Sequence, residues 1–90
     1  MNKENILGIL LKSEQRKKIL LFLLSGKKKL VEIKDFLHIK SSFLMVQLKI
    51  LLKKKIIYEF ENYYELTKYG FILVNDMNEI ILYLQEIESQ

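Results

Sequence analysis

The segment from Lys40 to Lys55 limits the fold more than any other part of the chain, because it joins a polar start, an apolar stripe and a basic end. Ser41 and Ser42 are residue types that accept backbone N–H bonds where a helix begins. Leu44, Leu48, Leu51 and Leu52 recur at spacings of four, three and one, which gives a helix one apolar face. Lys53, Lys54 and Lys55 crowd the last turn, where cations offset the negative end of the helix dipole. Phe43, Met45, Val46 and Ile50 fall outside the leucine stripe, beside Gln47 and Lys49. A helix this apolar all round is normally covered on more than one side.

Ninety residues, half of them hydrophobic, make one domain that spans residues 1–90 and has apolar material enough for a core. There is no Cys, which excludes disulfides, thiolate metal sites and a Cys nucleophile and fits a reducing cytoplasm. A single His, His38, cannot build a His-based metal cluster. Lys and Glu interrupt every apolar run before it reaches membrane-spanning length, so no membrane partner is expected. The three glycines, Gly8, Gly26 and Gly70, are isolated, so no phosphate-cradling loop is present. Nothing places Ser, His and Asp as a triad, and Glu59, Glu61 and Glu65 have no His or metal-ligand companions. The chain is therefore expected to have no enzymatic role, no cofactor, no metal and no small-molecule ligand.

Charge divides the chain in two. Residues 1–55 carry 14 Lys and Arg against 4 Asp and Glu, a net +10, whereas residues 56–90 carry 1 against 7, a net −6. A one-sided positive field of this kind suits a polyanion such as nucleic acid.

The periodicity predicts a mostly α fold with a small β-hairpin. Asn2 to Lys12 reads as a short, largely apolar helix weakened at Gly8. Ser13 caps the next helix, whose buried side is expected to be Ile19, Leu20, Phe22, Leu23 and Leu24 and which stops near Gly26, a residue suited to the left-handed backbone past a helix end. Lys27, Lys28 and Lys29 form a basic loop, followed by a two-turn helix with Leu30, Ile33 and Leu37 on one side. His38 falls in the turn before the segment described first, a place where a positive φ is tolerated. Ile56–Phe60 and Tyr63–Leu66 are β-branched and aromatic runs around Glu61-Asn62, which suits a tight hairpin turn. Thr67 caps a long last helix, in which Leu73, Met77, Ile80, Leu84 and Ile87 repeat at spacings of four and three. A domain this small cannot cover a helix of about 30 Å along its whole length. Ile6, Leu10, Met77, Ile80, Leu84 and Ile87 are accordingly expected to pack in a homodimer.

Helix, helix, short helix, turn, helix, hairpin, helix is the order of a winged helix-turn-helix. The chain resembles that family, in particular archaeal transcriptional regulators of the arsenic-repressor-like superfamily. The resemblance runs from about Lys12 to Gly70. It is carried by Leu30-x-x-Ile33-x-x-x-Leu37-x-Ile39-x-Ser41-Ser42, Leu48-x-x-Leu51, Lys55-Ile56-Ile57 and Tyr64-x-Leu66-Thr67-x-x-Gly70. It implies a helix-turn-helix over about 30–54, a wing over 56–66 and a long C-terminal helix over 68–88. It also implies double-stranded DNA as partner, with helix 42–54 entering the major groove. Lys40, Ser41, Ser42, Gln47 and Lys49 would then make polar contacts, Gln47 with adenine and Lys49 with guanine or phosphate, and Phe43, Met45 or Val46 would meet thymine methyls. Lys27, Lys28, Lys29 and Lys34 would hold phosphates. His38 and Lys55 stand where the family often has Gly, and Glu59, Glu61 and Glu65 set the hairpin apart from a phosphate-gripping wing. These acidic residues, with the apolar Phe43, Val46 and Ile50, also motivate a second reading: a winged-helix protein–protein interaction module that does not bind DNA.

Overall fold

The computed structural model describes residues 7, 8, 10 and 12–89. Leu7, Gly8 and Leu10 are helical and Leu10 is buried, whereas Ile6 lies outside the described residues. Ser13 caps helix α1 (Glu14–Leu23), its Oγ accepting the Arg16 N–H at 3.2 Å. Beyond the helix end the backbone turns at Gly26, whose φ of 126° is open to glycine.

Lys28–Lys29 then forms a two-residue strand, β1, where the lysine-rich sequence predicts only a loop. Helix α2 (Leu30–Leu37) follows directly, and the Glu32 carboxylate accepts the Lys29 N–H at 3.0 Å, satisfying one donor at the helix start. His38 ends α2 in the left-handed region (φ 55°), with its N–H donated to Lys34 O.

Helix α3 (Ser41–Lys53) departs from expectation at its start. Lys40 occupies the N-cap and no side chain caps the helix. Ser41 is already inside the helix, so its hydroxyl cannot take the position from which a cap accepts the free N–H groups. The other end is tightly closed. Lys55 is left-handed (φ 60°), the Ile56 N–H reaches Leu51 O at 3.0 Å and the Lys55 N–H reaches Leu52 O at 3.0 Å. This pair of reversed bonds is the Schellman closure, and buried Ile56 supplies its apolar contact.

Strands β2 (Ile57–Phe60) and β3 (Tyr63–Leu66) are joined through Glu61 and Asn62, both at positive φ (50° and 70°), as a two-residue hairpin requires. The antiparallel sheet has the order β1-β3-β2, with Lys28 opposite Tyr64 and Lys29 opposite Tyr63. Tyr64 is buried, and its phenol pKa is pushed up to about 12 by desolvation first and by its hydrogen bond to Glu59 second.

Thr67 ties the sheet to the last helix, α4 (Lys68–Glu88). Its Oγ1 accepts the Gly70 N–H at 2.9 Å and lies 2.8 Å from Lys55 O and 3.1 Å from Ile56 O, toward which the hydroxyl donates. The core draws on every helix: Leu20 and Leu23 of α1, Ile33 of α2, Leu44, Leu48 and Leu51 of α3, and Leu73, Val74 and Met77 of α4. The elements, their order and the three-stranded sheet make a winged helix-turn-helix with a long C-terminal helix. None of the helices among the described residues is long and apolar enough to cross a membrane.

Candidate nucleic-acid interface

The outer face of α3 is built by helical spacing. With Leu44, Leu48 and Leu51 committed to the core, residues at the intervening positions Ser42, Phe43, Val46, Lys49 and Lys53 point to solvent. Phe43 and Val46 are 48% and 54% exposed. Lys40 stands exposed at the helix start beside Ser41. Lys49 and Lys53 flank the apolar pair on its C-terminal side, and no acidic residue occurs anywhere in the helix. Lys34 is exposed on α2, in the last turn before the His38 corner.

Gln47 does not belong to this face. It is 7% exposed, and its Oε1 accepts the Arg16 Nε–H of α1 at 2.9 Å. A base-reading role needs an outward carboxamide, and this one is turned inward and engaged between two helices. The bond instead fixes how α3 sits on α1, which makes Arg16 a positioning residue that the sequence reading missed. Its partner lies 31 positions away, so no local pattern announces it. A double-mutant cycle of Arg16→Met and Gln47→Leu should give a coupling of about 1.5–3 kcal/mol, the range for hydrogen bonds to charged groups. A coupling near zero by urea denaturation would show that the two side chains act separately.

The lysines of the β1 region are held over aromatic rings. Lys27 and Lys29 approach the Tyr63 ring at 4.6 and 5.4 Å, and Lys28 lies 4.9 Å from the Phe22 ring. Phe22 is in turn stacked on Phe36 at 4.1 Å. Such contacts orient the ammonium groups without neutralising them. The acidic wing residues are partly spent within the sheet. The Tyr58 hydroxyl donates to Glu65 Oε2 at 2.7 Å, which raises the Tyr58 pKa, and Glu59 accepts from Tyr64. Glu61 stands exposed at the hairpin turn.

The residues expected to pair two copies divide differently. Leu10 and Met77 are 1% and 0% exposed within the protomer's own core, so they have no surface left to offer. Ile80 is half-buried, while Leu84 and Ile87 are 50% and 49% exposed. Leu82 and Tyr83 are exposed beside them, and a groove lined by Leu7, Asp76, Glu79, Ile80 and Tyr83 runs along α4.

The architecture is shared with solved structures. The quinone-bound YodB from B. subtilis matches with a TM-score of 0.83, at 24% identity, over 96% of this chain and 98% of that one. The adhesin competence repressor AdcR from Streptococcus pyogenes matches at 0.72 with 17% identity, over 96% of this chain and 75% of that one. HlyU from Vibrio cholerae matches at 0.67 with 19% identity, over 89% and 97%. These are likenesses of fold. No curated protein matches the chain. A family model described as the N-terminal domain of the methanogenesis regulatory protein FilR1 matches residues 4–85. Since that match takes in both the helix-turn-helix and the wing, the chain belongs to the FilR1 N-terminal domain family of winged-helix regulators.

Proposed function

We propose that the chain acts as a dimeric, DNA-binding transcriptional regulator whose helix α3 enters the major groove. The observation that carries this reading is the outer face of α3: exposed, free of acidic residues, opened by Lys40 and closed by Lys49 and Lys53. The basic first half of the chain adds the field that brings a polyanion to that face. Lys27, Lys28, Lys29 and Lys34, with Lys40 and Lys49 at the edges of the α3 face, are assigned to phosphates, where they set register without reading sequence. A second copy is assigned to the far half of α4, because Tyr83, Leu84 and Ile87, at helical spacing, form an apolar face that the protomer leaves uncovered.

A fluorescence titration against random duplex DNA at about 50 and about 200 mM salt tests the first part. Six or more phosphate contacts predict a loss of at least about a thousandfold in affinity across that interval. Sedimentation equilibrium at micromolar concentration tests the second and should return twice the mass of one chain. Absence of binding at the lower salt would favour the interaction-module reading, for which the exposed Phe43 and Val46 provide the specific support.

A further inference from the structure

We infer that the outer face of α3 selects duplex sites by their thymine methyl groups, an inference that rests on the DNA-binding role proposed above. The helix offers almost no directional readers. It contains no Arg, Asn, Asp or Glu, and Gln47 is committed to Arg16 at 2.9 Å. The Asn or Gln pairing that recognises adenine and the carboxylate that accepts from cytosine N4 are therefore missing from this face, and guanine is met by no Arg fork. The polar groups left are the Ser41 and Ser42 hydroxyls and the lysine ammonium groups, which act as point charges. Between them stand Phe43 and Val46, both about half exposed and one helical turn apart on the leading part of the helix.

In the major groove one base edge presents an apolar group, the C5-methyl of thymine. Covering it with Phe43 or Val46 removes apolar surface from water. Placing the same side chains on the polar edge of a G·C pair would desolvate donors and acceptors without giving them partners. Attraction to thymine and rejection of G·C thus come from the same two residues. Cations around this pair, at Lys40, Lys49 and Lys53, commit the face to a polyanion as occupant.

The test uses four synthetic duplexes: alternating dA-dT, dA-dU, dG-dC and its 5-methylcytosine form. Uracil lacks the methyl and keeps the hydrogen-bonding edge of thymine, and 5-methylcytosine puts a methyl at the same groove position. One buried methyl corresponds to about a fourfold gain in affinity and two to more than about tenfold. The expected result is a preference of that size for dA-dT over dA-dU, with part of it regained on methylating cytosine. In the Phe43→Ser/Val46→Ser protein the ratio should fall to about one while the salt dependence stays. Both positions are exposed, and an unchanged thermal melt verifies folding. Equal, salt-dependent affinity for dA-dT and dA-dU would leave the DNA-binding role standing and overturn methyl selection. A preference that survives the double substitution would overturn the assignment to Phe43 and Val46. If none of the duplexes binds at low salt, the DNA-binding role falls and this inference falls with it.

Discussion

Gly70→Ala should destabilise the domain by at least about 3 kcal/mol, although the same change in an exposed helix normally helps by nearly 1 kcal/mol. Gly70 lies in the first turn of α4, where the helix presses on the end of the α3–β2 connection. A Cβ built there would sit 1.9 Å from Ile56 O and 2.9 Å from Ile56 C. Neither atom can withdraw cheaply. Ile56 O already accepts the Thr67 N–H at 3.0 Å and lies 3.1 Å from the Thr67 hydroxyl. Ile56 N is fixed by the Schellman closure of α3, and the Ile56 side chain is fully buried. Relief therefore means moving α4 off the sheet and opening the Thr67 cap with it. A loss of this size is a large share of the stability of a domain of ninety residues and corresponds to a fall in melting temperature of more than about 10 °C. Gly8→Ala is the control, since nothing lies within 4 Å of the added Cβ there. Its melting temperature should hold or rise slightly. Equal melts for Gly70→Ala and the native protein would mean that α4 does not press on Ile56 as described.

This contact also shows what was legible in the sequence. Tyr64-x-Leu66-Thr67-x-x-Gly70 marks the end of the wing and a Thr cap, and both are present, because capping is a local bond between residues three apart. Hairpin closure at Glu61-Asn62 and the left-handed turn at His38 were legible for the same reason: each is a short-range backbone constraint. Three features were not. A lysine pair carries no strand signal, and β1 exists only because β3 lies alongside it, Lys29 reaching Tyr63 across 34 positions of chain. Ser41 and Ser42 have the right chemistry for a cap and stand one and two positions past the N-cap. Gln47 looks outward in a sequence because it is polar. In an almost wholly apolar helix, however, polarity does not define a face, and the deciding partner, Arg16, comes from another helix. The exposure of Lys40, Lys49 and Phe43 was legible, and the inward turn of Gln47 was not, because its direction depends on tertiary packing.

The Lys40→Glu/Lys49→Glu protein should lose at least about a hundredfold in affinity for duplex DNA at low salt and should fold as well as the native chain. Stability is protected by the places chosen. A carboxylate at position 40 stands at the start of α3, where it favours the helix dipole by about 0.3–1 kcal/mol. A carboxylate at position 49 precedes Lys53 by four residues, the orientation that adds a few tenths of a kcal/mol. Both side chains are exposed, so no core contact is lost. Binding responds in the opposite direction. A hydrogen bond to a charged group contributes roughly 1.5–3 kcal/mol, so two lost phosphate contacts remove about 3–6 kcal/mol per protomer before repulsion by the new carboxylates is counted. Two fewer phosphates neutralised should also flatten the plot of log affinity against log salt by about 1.8 per protomer. The slope is the decisive readout, because general loss of structure would abolish binding without leaving a shallower line to measure. A variant that bound as tightly as the native chain, with the same slope, would remove α3 from the DNA interface. The uncovered apolar face at Phe43 and Val46 would then be assigned to a protein partner.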